Sequence, residues 1–114
     1  MKLRELAHSR AGDKGNISNL SLIAYQMEHY PLLREQVTAE RVKAWFQEIV
    51  RGEVRRYELP KIGALNFVLF DALGGGVTRS LALDRHGKSL SSLLLEMEIE
   101  ERHPGVPLPK KEEK

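Results

Sequence analysis

The sequence predicts an α+β sandwich: a mainly antiparallel sheet with two helices packed on one of its faces. Three observations carry this. The elements run strand, strand, helix, strand, strand, strand, helix, so that the strands can pair antiparallel while the helices cover them. Val42, Trp45, Phe46, Ile49 and Val50 fall at helical spacing and give the clearest amphipathic stripe in the chain. Residues 64–73 are nearly unbroken apolar chain, through Leu65, Phe67, Val68, Leu69 and Phe70, as a central strand buried on both faces would be.

Residues 3–8 read as a short first or edge strand, and residues 9–17 as a glycine-punctuated turn. Residues 19–25 read as a strand with Leu20, Leu22 and Ala24 on one face, so the polar turn closes a hairpin. Pro31 opens a short turn of helix over 31–36, a position where its missing N–H is not needed. Thr38 is placed to cap the main helix, with Arg41 where a capping box would have Glu or Gln. Gly52 reads as the stop of that helix. Its Trp45 stripe is expected to pack on the Phe67 run.

Residues 54–59 alternate weakly and end at Pro60, as a strand. The run 64–73 ends at Gly74-Gly75-Gly76, and residues 77–83 form a further strand before a turn at 84–87. Ser89 is placed to cap a last helix with Leu90, Leu93, Leu94 and Met97 on one face, though residues 96–100 also alternate like a strand. One domain over 1–102 followed by a disordered charged tail over 103–114 is the expected organisation.

Composition narrows the function. The +2 net charge, from 18 basic and 16 acidic residues, is too even to indicate nucleic-acid binding. The chain has no cysteine, which excludes disulfides, thiolate metal sites and a cysteine nucleophile, and fits a cytoplasmic location. No apolar run approaches the roughly 18 residues of a membrane span. Nor do the four histidines show metal-ligand spacing, so neither a metal nor a cofactor is expected. No serine has a nucleophile-elbow context.

Two polar segments carry the chemistry. Five of the nine glycines lie in them, beside His8, Arg10, Asp13, Lys14, Asn16, Asn19, Asn66 and Arg79. The first, with Gly12 and Gly15, reads either as a hairpin turn or as a nest of backbone N–H groups that holds a phosphate or carboxylate between Arg10 and Lys14. His8 is either a proton-transfer group, with Asp13 beside it, or a structural histidine. The second, Gly74, Gly75 and Gly76 with Arg79, reads either as a tight reversal or as backbone amides approaching an oxyanion. Asn66 interrupts an apolar run and needs a partner there. The functional reading requires the two segments to converge.

The string at residues 7–16, Ala-His-Ser-Arg-Ala-Gly-Asp-Lys-Gly-Asn, carries a family resemblance. So do Tyr30-Pro31-Leu32-Leu33, Thr38-Ala39-Glu40-Arg41-Val42, Val50-Arg51-Gly52, Arg56-Tyr57-Glu58-Leu59-Pro60, Ala64-Leu65-Asn66-Phe67-Val68 and Asp71-Ala72-Leu73-Gly74-Gly75-Gly76. Over about residues 3 to 100 the sequence resembles the C-terminal ferredoxin-fold domain of the acyclic terpene utilisation (AtuA-like) proteins. The resemblance implies a ferredoxin-like sandwich and a link to catabolism of acyclic isoprenoids or related branched acyl-CoA compounds. In longer relatives this module follows a large N-terminal domain, so the resemblance implies a split arrangement with a separate large subunit. His8, Arg10, Gly12, Asp13, Lys14, Gly15, Asn16, Asn19, Asn66, Gly74, Gly75, Gly76 and Arg79 match the family's polar motif, and the roles given to them here are read from their chemistry.

Three expectations follow. In the first, the chain is an accessory subunit that completes a site for a small anionic substrate, an acyl-CoA or carboxylate, on a larger partner. In the second it is a self-sufficient hydratase or lyase, a homo-oligomer with its site between identical subunits. Here His8 moves a proton, and Arg10, Lys14 and the 74–76 amides stabilise negative charge. The third is a purely structural dimerisation module.

Overall fold

The computed structural model describes residues 1–72 and 90–100. Two hairpins build its sheet. Strand β1 (Ala7–Lys14) pairs antiparallel with β2 (Ile17–Ala24) from Ala7↔Ala24 to Lys14↔Ile17, leaving Gly15 and Asn16 as a two-residue loop. Gly15 sits at φ 64, the left-handed conformation that such tight hairpin loops demand. The turn expected over 9–17 is therefore mostly strand. Pairing with β2 satisfies alternate backbone groups of β1, and Arg10, Asp13 and Lys14 are exposed on a strand rather than in a loop. The strand expected at residues 3–8 begins only at Ala7, and Leu3–Glu5 is a single 3-10 turn. That turn brings Leu3 and Leu6 to the same side, and both are buried.

Strand β3 (Val54–Leu59) pairs antiparallel with β4 (Ala64–Leu69), and β4 pairs antiparallel with β2, giving the order β1-β2-β4-β3. The apolar run is central, as expected, but shorter and buried on one face only. Leu65, Phe67 and Leu69 are buried, while Asn66 and Val68 on the opposite face are half-buried. Past Leu69 the backbone turns, with Asp71 at φ 53. The predicted strand at 77–83, the turn at 84–87, the Ser89 cap and the tail from 103 lie outside the described residues.

Helices α1 (Tyr30–Gln36), α2 (Ala39–Trp45) and α3 (Leu90–Leu94) pack on the face that carries Leu20, Leu22, Leu65, Phe67 and Leu69. Among the described residues α1 falls where the short turn of helix over 31–36 was expected, and α2 and α3 are the two helices expected after it. Pro31 lies in the first turn of α1, and Thr38 caps α2 by accepting the Arg41 N–H at 3.1 Å. Each fully buried Leu or Phe contributes about 1.5–3 kcal/mol, so this layer holds the domain together.

Trp45 departs from the expected stripe and is 43% exposed. Helix α2 ends at Trp45, and the following turn carries Phe46 and Val50 into the core instead. The indole Nε1 donates to the Leu93 carbonyl at 2.9 Å and so tethers α2 to α3. Gly52 is not the stop of α2. A Cβ there would lie 2.6 Å from the Phe70 carbonyl oxygen, so glycine is required for close approach to β4's exit. The strand-like reading of 96–100 is partly realised: Leu3 N–H donates to Met97 O, Ile99 N–H donates to Met1 O, and Lys2 bridges Glu98.

Candidate functional site

Alternation along paired strands decides which polar residues share a face. Residues opposite each other across an antiparallel pair point the same way. Ser9, Leu20, Leu22, Leu65 and Phe67 thus face the helices. His8, Arg10, Gly12 and Lys14 of β1, Asn19 and Ser21 of β2, and Asn66 of β4 lie on the open face. Two rows cross that face. One runs Arg10, Ser21, Asn66, Tyr57, and the other Gly12, Asn19, Val68, Arg55.

Most of the first polar segment and Asn66, far apart in sequence, therefore meet on one surface. The Arg10 N–H donates to the Ser21 hydroxyl at 3.1 Å, which places Ser21 between Arg10 and Asn66. The Arg10 guanidinium and Lys14 ammonium have no ion-pair partner among the described residues. With Ala11, Gly12, Asp13, Ile17, Asn19 and Ser21 they line a shallow groove. His8, half-buried, stacks on Tyr25 with ring centroids 5.4 Å apart. Such a face can hold an anion through cationic and amide side chains.

It does not hold one through a nest. The backbone over 7–14 is extended, so successive N–H groups point to opposite edges rather than converging. Nor does the structure bring His8 and Asp13 together. They are five residues apart on one strand, about 17 Å at strand rise, and point to opposite faces. On the helix side, the Asp13 carboxylate accepts a hydrogen bond from the Ser18 hydroxyl at 2.9 Å. Gly15 and Asn16 form the hairpin loop and line neither row.

Gly74, Gly75, Gly76 and Arg79 lie outside the described residues. The chain leading to them is placed: Ala72 donates its N–H to the Asn16 carbonyl at 2.8 Å. Two residues before the triple glycine, the backbone is thus bonded to the β1–β2 loop.

Sequence reasoning missed Ser21 and Tyr57, which share the row of Arg10 and Asn66. The signal for them was strand parity, and it became usable only once the register was fixed. A second polar cluster is structural. Arg56 donates from Nη1 to the carbonyls of Arg34 (2.6 Å) and Val37 (3.0 Å), and from Nη2 to Glu58 at 3.0 Å. A guanidinium on the last carbonyls of α1 complements the helix dipole. Beside it the Tyr30 hydroxyl is buried with no hydrogen-bond partner. Burial, with a smaller push from Glu58, raises its pKa above the usual 10.0 against the pull of Arg34 and Arg56.

Among the described residues no group of three His, Asp or Glu side chains is placed to hold a metal ion, and no helix is long and apolar enough to cross a membrane. The family model of the AtuA ferredoxin-like domain matches residues 1–100. No curated protein and no solved structure matches the chain.

Proposed function

Because this chain belongs to the AtuA ferredoxin-like domain family, we propose that it is an accessory binding domain. Its open sheet face completes a site for a small anionic substrate, an acyl-CoA or another carboxylate, on a larger partner. The setting is the catabolism of acyclic isoprenoids or branched acyl-CoA compounds. One observation carries this reading. Arg10 and Lys14 stand without ion-pair partners among the described residues, on the same face as Asn19 and Asn66. Unpaired cations beside amide donors favour an anion over a neutral ligand. A shallow, open surface needs a second wall before it can enclose a small molecule, and a larger partner supplies it. The separation of His8 from Asp13 speaks against a complete acid–base pair within one chain.

Co-purification from the native source tests the reading. We expect a larger subunit to accompany this chain, and the Arg10→Ala/Lys14→Ala double variant to keep the complex while losing most of its activity. A fully active homo-oligomer with no larger companion overturns it.

A further inference from the structure

We propose that β1 is the pairing edge for a second copy of this chain, joined antiparallel about a two-fold axis at Ala11. The two sheets then continue into one. β1 is an edge strand, eight residues long, with no proline and no strand on its outer side among the described residues. Such edges pair with another chain unless something blocks them. The opposite edge, β3, runs directly into Pro60, which lacks the N–H an added strand would need.

Backbone direction and charge select the register. Tyr25 N–H donates to the Leu6 carbonyl, and Arg10 N–H points to Ser21. The even-numbered residues of β1 therefore face β2, and Ser9, Ala11 and Asp13 turn their N–H and C=O groups to the free edge. Odd must then pair with odd. A centre at Arg10 sets Arg10 against its own copy. Centring on Gly12 sets Arg10 against Lys14. With Ala11 at the centre, Arg10 meets Gly12, His8 meets Lys14 and Ser9 meets Asp13, so no two like fixed charges lie opposite.

The Ser9–Asp13 pairing satisfies an orphan. The Ser9 hydroxyl is buried without a hydrogen-bond partner, on the face that also carries Asp13. A carboxylate has acceptor sites beyond the one that Ser18 uses. Turned about χ1 toward the strand edge, the Ser9 hydroxyl can donate to the copy's Asp13. On the open face, His8, Arg10 and Lys14 of one copy interleave with Lys14, Gly12 and His8 of the other, making one cationic stripe across the axis. This dimer stands whether or not that stripe binds a substrate.

The chain has no cysteine, so a single introduced thiol reports without background. Ala11→Cys, at an exposed position, is expected to give a covalent dimer with a short bis-thiol reagent, whereas His8→Cys and Lys14→Cys, each about 20 Å from its own copy at strand rise, are not. Hydrogen exchange of the unmodified protein gives a second test. Amides of Ser9, Ala11 and Asp13 should gain protection as concentration rises, while those of His8, Arg10 and Gly12 are protected throughout. A strict monomer at the highest soluble concentration, or a cross-link at position 8 or 14 in preference to 11, overturns the proposal.

Discussion

Gln36 holds Glu100 as a neighbouring strand would. Its side-chain Nε2 donates to the Glu100 carbonyl at 2.8 Å, and its Oε1 accepts the Glu100 N–H at 2.7 Å. One buried amide thus fastens the end of the described chain to α1. Arg41 adds a second clasp, donating to the Glu98 and Gln36 carbonyls at 2.7 and 3.3 Å.

Gln36→Leu keeps the apolar stem and removes both bonds to Glu100. It should cost about 1–3 kcal/mol, since the Glu100 amide and carbonyl lose this partner in a part-buried setting. Urea denaturation measures the loss. A change within error would show that solvent replaces the amide fully.

Two glycines should behave oppositely. Gly52→Ala puts a methyl 2.6 Å from the Phe70 carbonyl oxygen, a backbone atom that cannot swing away. A loss of about 1–3 kcal/mol is expected from the forced shift. Around Gly12 nothing lies within 4 Å of an added Cβ. Gly12→Ala should therefore stay within about 0.5 kcal/mol of the parent in thermal melts.

Tyr30→Phe should stabilise the fold. It removes a buried hydroxyl that has no partner, a gain of about 1 kcal/mol. The raised phenol pKa adds a pH signature. Above pH 10.0 the unfolded chain releases the Tyr30 proton while the folded chain retains it. Stability contributed below that pH is then lost as pH climbs through the folded value. The parent should decline over this alkaline window more steeply than Tyr30→Phe, as read by denaturant midpoints.

The cations of the open face should matter for ligand and not for fold. In the complex with the larger partner, Arg10→Ala and Lys14→Ala each remove one charge-assisted contact, worth about a tenfold loss of affinity for coenzyme A by titration calorimetry. Binding by the parent should weaken as salt rises. Melting temperatures of both variants should match the parent, since neither side chain has an ion-pair partner among the described residues.

Much of the fold was legible because local signals agreed with the core. The Thr38 cap, Pro31 in the first turn of α1, the strand at 54–59 and the central place of the Leu65–Leu69 run are local properties, and each is found. The polar segment was harder. Glycines and charges over 9–17 look like a loop when the chain is read alone, because pairing with β2 is a non-local fact. Trp45 was misplaced for a similar reason: helical spacing assumes that the helix continues, and α2 stops there.

The α+β sheet with helices on one side was legible because it depends on capping and periodicity, and the family through the resemblance of residues 7–16 and the motifs after them. Which side chains share a surface was settled only by register. A shift of one residue exchanges the two faces of a strand, and no local preference fixes that count. Register set Arg10 in line with Ser21, Asn66 and Tyr57, and it turned Asp13 away from His8.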